Sequence, residues 1–95
     1  MPDLITIIED DESIREMLRY YFHSVGYGVE DFESGEDYFQ AVHDVQPDLY
    51  ILDIMLPGMD GLEILRRLRG APDTAHIPVI MLTARTAELD RVKGL

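Results

Sequence analysis

The chain has 95 residues and a formal net charge of -11 at pH 7, because 19 acidic residues outnumber 8 basic ones. This negative charge repels nucleic-acid phosphates, so the chain by itself is a poor nucleic-acid binder. Its lack of cysteine excludes disulfides and thiolate metal sites. The length fits one domain, and no stretch approaches the roughly 20 apolar residues of a membrane span. Because the N-terminus also lacks signal-peptide features, we expect a cytoplasmic protein without a membrane partner.

The first predicted strand leads directly into a run of carboxylates. Leu4–Ile8 is apolar and largely β-branched, which is typical of a buried strand, and Glu9, Asp10 and Asp11 follow it. Since acidic residues complement the dipole at the start of a helix, Asp11 is interpreted as a helix cap. The next apolar residues recur at helical spacing and form the expected buried stripe of a first helix: Ile14, Met17, Leu18, Tyr21, Phe22 and Val25.

A second strand and helix have weaker signals. Gly28–Phe32 is interpreted as a weak strand, and Ser34 with Asp37 three residues later resembles the capping box that begins a helix. Pro47 is expected to end that helix. Its predicted apolar face consists of Tyr38, Phe39 and Val42, with Val45 as a further candidate.

The third strand is the one around which the rest of the chain is organised. Leu49–Asp53 shows no polar alternation, as expected for a strand covered on both faces of a parallel sheet, and it ends in a carboxylate. Pro57, Gly58 and Gly61 then require a turn before the next helix. The expected buried residues of this third helix are Leu62, Leu65 and Leu68, with Ile64 beside them.

The last predicted elements are a fourth strand and the beginning of a fourth helix. Ile77–Leu82 is apolar, and Pro78 must lie at its start because proline cannot donate to the sheet. The strand runs into Thr83, and the next helix begins near Thr86. Strands alternating with helices predict the α/β class, with a doubly wound parallel sheet.

Polar side chains are expected to converge at one edge of this sheet. Glu9 and Asp10 follow the first strand, Asp53 ends the third and Thr83 follows the fourth, and the carboxyl ends of parallel strands share an edge. Uncompensated carboxylates ~5 Å apart would repel by roughly 3 kcal/mol per pair at an effective dielectric of ~20. A shared proton or a divalent cation would relieve this repulsion. Because the ligands are oxygens, Mg²⁺ is favoured over Ca²⁺.

Three segments together carry a family resemblance: IIEDDESIREML, LDIMLPGMDGLE and VIMLTAR resemble the receiver domain of two-component response regulators, in particular those of the OmpR/PhoB type. The resemblance implies a flavodoxin/CheY-like three-layer α/β/α fold with strand order 2-1-3-4-5. It covers residues 1–95, which we interpret as one receiver domain that is incomplete at its C-terminus. A complete receiver has a fifth strand and helix and a lysine that contacts the phosphoryl group, and Lys93 does not match that position.

The resemblance also implies roles for individual residues. Asp53 would be the phosphoacceptor, attacking a phosphohistidine of a sensor histidine kinase. Asp10 would be a direct Mg²⁺ ligand, Glu9 would act mostly through metal-bound water, and the backbone carbonyl of Met55 would be a third protein ligand.

Two further residues, Thr83 and Ala84, would contact the phosphoryl group through a hydroxyl and a backbone N–H. The domain would be a signalling domain and not a turnover enzyme. The full-length phosphorylated protein is expected to form a homodimer, and to contact DNA only through an output domain.

Two other functions stay open at this stage. A pseudo-receiver would be an interaction module that is not phosphorylated. A phosphatase of the haloacid-dehalogenase type also uses a strand-ending aspartate with Mg²⁺, but it requires a second aspartate two residues later, where this chain has Met55. The three histidines, His23, His43 and His76, are interpreted as ordinary surface residues.

Overall fold

The computed structural model describes residues 3–82, in which four strands alternate with three helices. Thr83, Ala84, Lys93 and the predicted fourth helix lie outside the described residues. In the part that is described, no helix has the length and apolar character needed to cross a membrane. The elements are β1 (Leu4–Ile8), α1 (Glu12–Ser24), β2 (Gly28–Phe32), α2 (Gly35–Gln40), β3 (Leu49–Asp53), α3 (Gly61–Gly70) and β4 (Val79–Leu82).

The strands form one parallel sheet in the order β2-β1-β3-β4, which confirms the predicted doubly wound α/β architecture. The chain moves outward from β1 to β2 and then crosses back to place β3 on the other side of β1. In such sheets, ligands bind outside the carboxyl ends of the strands where this reversal occurs. The register pairs Ile8 with Leu52, so the residues that follow each of them emerge side by side.

The helices lie on both faces of the sheet. On one face, Leu18 and Phe22 of α1 pack against the buried residues Ile5, Ile7 and Ile51. The other face carries a larger core to which α2 and α3 contribute. Its buried residues are Ile8, Tyr38, Tyr50, Leu52, Leu56, Ile64, Leu68 and Ile77.

The predicted apolar stripe of α1 is too wide. Ile14, Leu18 and Phe22 are half-buried, whereas Met17, Tyr21 and the capping residue Val25 are exposed. A helix packed on a sheet makes contact mainly through one row of residues four apart. The residue before each member of that row is rotated by about 100° around the helix axis, away from the sheet. The periodicity therefore identified the helix but not the row that faces the sheet.

The second helix is shorter than predicted, which overturns part of its expected apolar face. Ala41 has an extended backbone (ψ 152°) and ends α2, so Val42 and Val45 are no longer in helical register with Tyr38. Val42 is 89% exposed and Val45 is also exposed. His43 instead stacks on Tyr38 with ring centroids 4.2 Å apart, so the prediction that it is an ordinary surface residue is wrong.

The third helix and fourth strand differ from prediction in smaller ways. Ile64 and Leu68 are buried as predicted and Leu65 is half-buried, but Leu62 is exposed, and Gly61 is buried as well. Strand β4 begins at Val79 and not at residue 77, because residue 78 is a proline and only its carbonyl joins the sheet. That carbonyl accepts a hydrogen bond from the Tyr50 N–H at 3.0 Å.

Two buried tyrosines form a polar contact inside the larger core that the sequence did not indicate. The hydroxyls of Tyr38 and Tyr50 share a 2.5 Å hydrogen bond, and burial raises the pKa of both phenols. Nearby in the sheet, the Thr6 hydroxyl donates to Glu30 at 2.7 Å. These bonds satisfy polar groups that would otherwise be costly to bury.

The contact between α2 and α3 leads to a prediction about Gly35. A Cβ at this position would lie 2.7 Å from Cδ1 and 2.8 Å from Cγ1 of the buried Ile64. Gly35→Ala should therefore lower the free energy of unfolding by about 1–3 kcal/mol, although alanine is the better helix former. Adding Ile64→Val should recover at least about 0.5 kcal/mol relative to the sum of the single changes.

Chemical denaturation of the single and double variants measures this coupling. Gly70→Ala is the matched control, because a Cβ there meets nothing within 4 Å. If Gly35→Ala were as neutral as the control, the packing argument would be wrong.

Candidate functional site

Three carboxylates meet at the edge of the sheet where the strand order reverses. Glu9 and Asp10 follow β1, Asp53 is the last residue of β3, and each offers an oxygen within 4.8 Å of the other two. Glu9 is only 4% exposed and Asp53 5%, whereas Asp10 is exposed. The structure therefore brings together the carboxylates that the sequence placed at this edge.

Backbone hydrogen bonds hold the turn between β1 and α1. The Glu9 N–H donates to the Phe32 carbonyl of β2 at 3.0 Å, and the Glu9 carboxylate accepts from the Asp11 N–H at 3.1 Å. The Asp11 carboxylate accepts from the Ile14 N–H at 3.1 Å, so its interpretation as the cap of α1 is confirmed. The turn thus fixes Glu9 and Asp10 between a strand end and a capped helix.

A guanidinium adds a contact to this turn that the sequence analysis missed. Arg15 Nη1 donates to the carbonyl oxygen of Glu9 at 2.8 Å, and its Nε donates to Asp31 at 3.0 Å. The sequence contained an indication of this contact. A positively charged arginine near the start of a helix interacts unfavourably with the helix dipole, so it is expected to bind an acceptor elsewhere.

The turn between β3 and α3 orients Asp53. The Met55 N–H donates to Oδ1 of Asp53 at 3.0 Å, and the Gly61 N–H donates to the Ile54 carbonyl at 3.2 Å. A Cβ on Gly61 would collide with the carbonyl oxygen of Asp53 and would lie 2.8 Å from Cα of Ile54. Gly61 therefore allows the turn to close directly behind the carboxylate, as its position in the sequence suggested.

The same turn is also attached to α2. Gly58 has a φ of +72°, a conformation that favours glycine, and the carboxylate of Glu36 accepts from the Met59 N–H at 3.1 Å.

Next to the carboxylates lies an open cleft of ≈ 560 Å³. Residues lining it include Asp10, Met55, Leu56, Pro57 and Leu62.

Electrostatic conditions at the site favour a cation. Burial is the largest cause of a rise in the pKa of Glu9 to about 7, which the hydrogen bond and negative charge of Asp53 reinforce and the hydrogen bond from the Asp11 N–H opposes. The neighbouring Asp10 also contributes to the increase. A cation bound here would favour the charged form of the carboxyl and offset this rise in its pKa. Because every ligand here is an oxygen, the residues fit a hard divalent ion such as Mg²⁺.

Comparison with known proteins relates the chain to a single protein family. A family model described as the response regulator receiver domain matches residues 5–95. The chain is 44% identical over 91 residues to the phosphate regulon transcriptional regulatory protein PhoB of Rhizobium meliloti, covering 96% of this chain and 40% of that protein. It is 44% identical over 95 residues to the transcriptional regulatory protein AfsQ1 of Streptomyces coelicolor, covering 100% of this chain and 40% of the relative. The chain therefore spans about 40% of the length of these two relatives.

Solved structures show the same fold. The N-terminal domain of a response regulator receiver protein from Methanoculleus marisnigri is similar with a TM-score of 0.80 and 36% identity, covering 97% of this chain and 76% of that one. The chemotaxis protein CheY4 of Vibrio cholerae is similar with a TM-score of 0.83 and 26% identity, covering 99% of this chain and 78% of that one.

The raised pKa of Glu9 predicts how stability depends on pH when no divalent cation is present. Folding favours the protonated form of Glu9. The resulting contribution to the free energy of unfolding is fully present below pH 4.5 and is lost as the pH rises through about 7. Its full size is about 3 kcal/mol. The free energy of unfolding in a chelator should therefore fall more steeply between pH 5 and 8 in wild type than in Glu9→Gln.

Urea denaturation across this pH range tests the difference. Glu16→Gln, which changes an exposed carboxylate of α1, should keep the wild-type slope. A Glu9→Gln variant with the same slope as wild type would contradict the assignment.

Proposed function

The chain belongs to the response regulator receiver domain family, and we propose that its Asp53 accepts a phosphoryl group from a sensor histidine kinase. The observation that supports this is the cluster of Glu9, Asp10 and Asp53 at the point where the strand order reverses. In the proposed reaction, a carboxylate oxygen of Asp53 attacks the phosphorus of a phosphohistidine. The new O–P bond gives an acyl phosphate, the N–P bond breaks, and the imidazole takes up a proton.

The cation site belongs to the same proposal. Glu9, Asp10, Asp53 and the backbone carbonyl of Met55 would hold Mg²⁺, with Glu9 acting mostly through metal-bound water. When bound, the ion supplies positive charge that neutralises the phosphoryl oxygens. The protein's contribution is to keep the attacking carboxylate buried and oriented, through the Met55 N–H on one side and the turn closed by Gly61 on the other.

The proposed contacts to the phosphoryl group stay predictions. Thr83 directly follows Leu82, which pairs with Asp53 in the register of β3 and β4. This position supports the Thr83 hydroxyl as a partner of a phosphoryl group on Asp53. The backbone N–H of Ala84 is the second proposed donor.

The proposed biological role is that of a phosphorylation-controlled signalling domain, not a turnover enzyme. Its curated relatives include named transcriptional regulators, and these are much longer than this chain. We therefore propose that the full-length protein regulates transcription in the cytoplasm. It would dimerise when phosphorylated and would contact DNA through an output domain.

Two alternative functions receive less support. In a phosphatase of the haloacid-dehalogenase type, a carboxylic acid two residues after the nucleophile protonates the leaving group. Here that residue is Met55, which offers only its backbone N–H to Asp53. A pseudo-receiver has no need for three carboxylates gathered at the switch point of the sheet, and gathering them has an electrostatic cost.

We expect Mg²⁺ to stabilise the folded protein. At a Mg²⁺ concentration ~100-fold above its dissociation constant, the free energy of unfolding should rise by about 2.7 kcal/mol. Thermal melts of the full-length protein, with NaCl matched for ionic strength, measure this effect. Asp53→Asn and Asp10→Ala should each reduce it, while Glu16→Gln should preserve it. A wild-type melt that does not respond to millimolar Mg²⁺ would count against a divalent site.

We also expect Asp53 to be the only residue labelled by acetyl phosphate in the presence of Mg²⁺. Intact mass of the full-length protein should show one added phosphoryl group, which hydroxylamine removes because it is an acyl phosphate. Labelling should be lost in Asp53→Asn and unchanged in Asp44→Asn, which alters an exposed loop aspartate. Undiminished labelling of Asp53→Asn, or phosphate located on Thr83, would refute the assignment, and an unlabelled wild type would favour the pseudo-receiver.

A further inference from the structure

One side chain outside the carboxylate cluster is built into the turn that carries it. Arg15 lies in the first turn of α1, and its side chain is only 16% exposed. Its Nη1 donates to the Glu9 carbonyl oxygen at 2.8 Å and its Nε to Asp31 Oδ2 at 3.0 Å. A half-buried guanidinium with two acceptors from different parts of the chain is held more firmly than an exposed ion pair.

The contact with the Glu9 carbonyl constrains the position of the next residue. That carbonyl belongs to the peptide plane that joins Glu9 to Asp10, so holding its oxygen also holds the N and Cα atoms of Asp10 in place. The preceding peptide is fixed as well, because the Glu9 N–H donates to Phe32. Both anchors come from the end of β2: Phe32 acts directly, and Asp31 acts by holding Arg15.

We propose that Arg15, held by Asp31, is a positioning residue that orients the Glu9 and Asp10 carboxylates for binding of a divalent cation. This inference rests on the proposed function, since it assigns a residue to the same cation site. Arg15 acts through the backbone of Glu9 and is not itself a ligand. Loss of such supporting contacts around metal ligands commonly weakens metal binding by tenfold or more.

If Arg15 acted only through its charge, its effect on Mg²⁺ affinity would have the opposite sign. A positive charge close to the carboxylates repels a divalent cation, so removing that charge would strengthen Mg²⁺ binding. A positioning role predicts weaker binding after the same change. The direction of the effect therefore distinguishes the two.

Arg19 provides a matched control on the same helix. Its Nη1 donates to the same Asp31 oxygen at 2.7 Å, and its side chain is 44% exposed. In the described part of the chain its side-chain hydrogen bond is to Asp31, and Arg15 is the arginine that bonds Glu9. Arg19→Ala thus removes a charge and an ion pair near the site while leaving the contact with the Glu9 carbonyl.

The test is the dissociation constant of Mg²⁺, measured by titration calorimetry on the full-length protein, with folding of each variant verified by circular dichroism. Arg15→Ala should weaken binding by about tenfold. Arg15→Lys should also weaken it, because one ammonium group cannot donate to both acceptors in the way that the planar guanidinium does. Arg19→Ala should stay within about twofold of wild type. Arg15→Lys keeps the charge, so it provides the test if Arg15→Ala does not fold.

The outcomes separate this inference from the function on which it rests. If wild type binds Mg²⁺ and either Arg15 variant binds it equally well or more tightly, the positioning role is overturned and the proposed function stands. If Arg19→Ala weakens binding as much as Arg15→Ala, the effect is general destabilisation of the Asp31 region, and the inference is also overturned. If wild type shows no Mg²⁺ binding, the cation site and the inference fail together.

Discussion

The parallel pairing of β1 with β3 is the constraint on which the rest of the site depends. Because Ile8 lies opposite Leu52, the first residue after β1 and the last residue of β3 emerge side by side. These residues are Glu9 and Asp53, and both are almost completely buried. A shift of this register by one residue would separate them and would also turn the apolar side chains of the strand toward the opposite face of the sheet.

In the described part of the chain, backbone N–H groups hold the carboxylates of Glu9 and Asp53 at this edge. Glu9 accepts from the Asp11 N–H, and Asp53 accepts from the Met55 N–H. Arg15 does not bond these carboxylates; it donates to the backbone carbonyl of Glu9 and to Asp31 of β2. This arrangement orients the carboxylates, while burial, reinforced by the neighbouring Asp53, raises the pKa of Glu9 to about 7. It is the electrostatic condition under which a hard cation binds.

Elements from both faces of the sheet support the two turns that form the site. Arg15 of α1 supports the turn after β1, and Glu36 of α2 binds the Met59 N–H in the turn after β3. Helices on opposite faces of the sheet are therefore joined to the site by hydrogen bonds. That connection is suited to the signalling role proposed for this receiver domain.

The sequence by itself determined the parts of this protein that depend on local chemistry: three strands with their bounds, the strand-ending Asp53, the cap at Asp11 and the tight turn at Gly61. It also indicated the gathering of carboxylates, because parallel strands must end at a common edge. The tertiary structure decided which helix residues face the sheet, where α2 ends, and how His43, Tyr38 and Tyr50 pack. It also decided the contact of Arg15 with the Glu9 carbonyl. These features depend on which atoms of other elements a side chain can reach, and helical or strand periodicity contains no information about such distances.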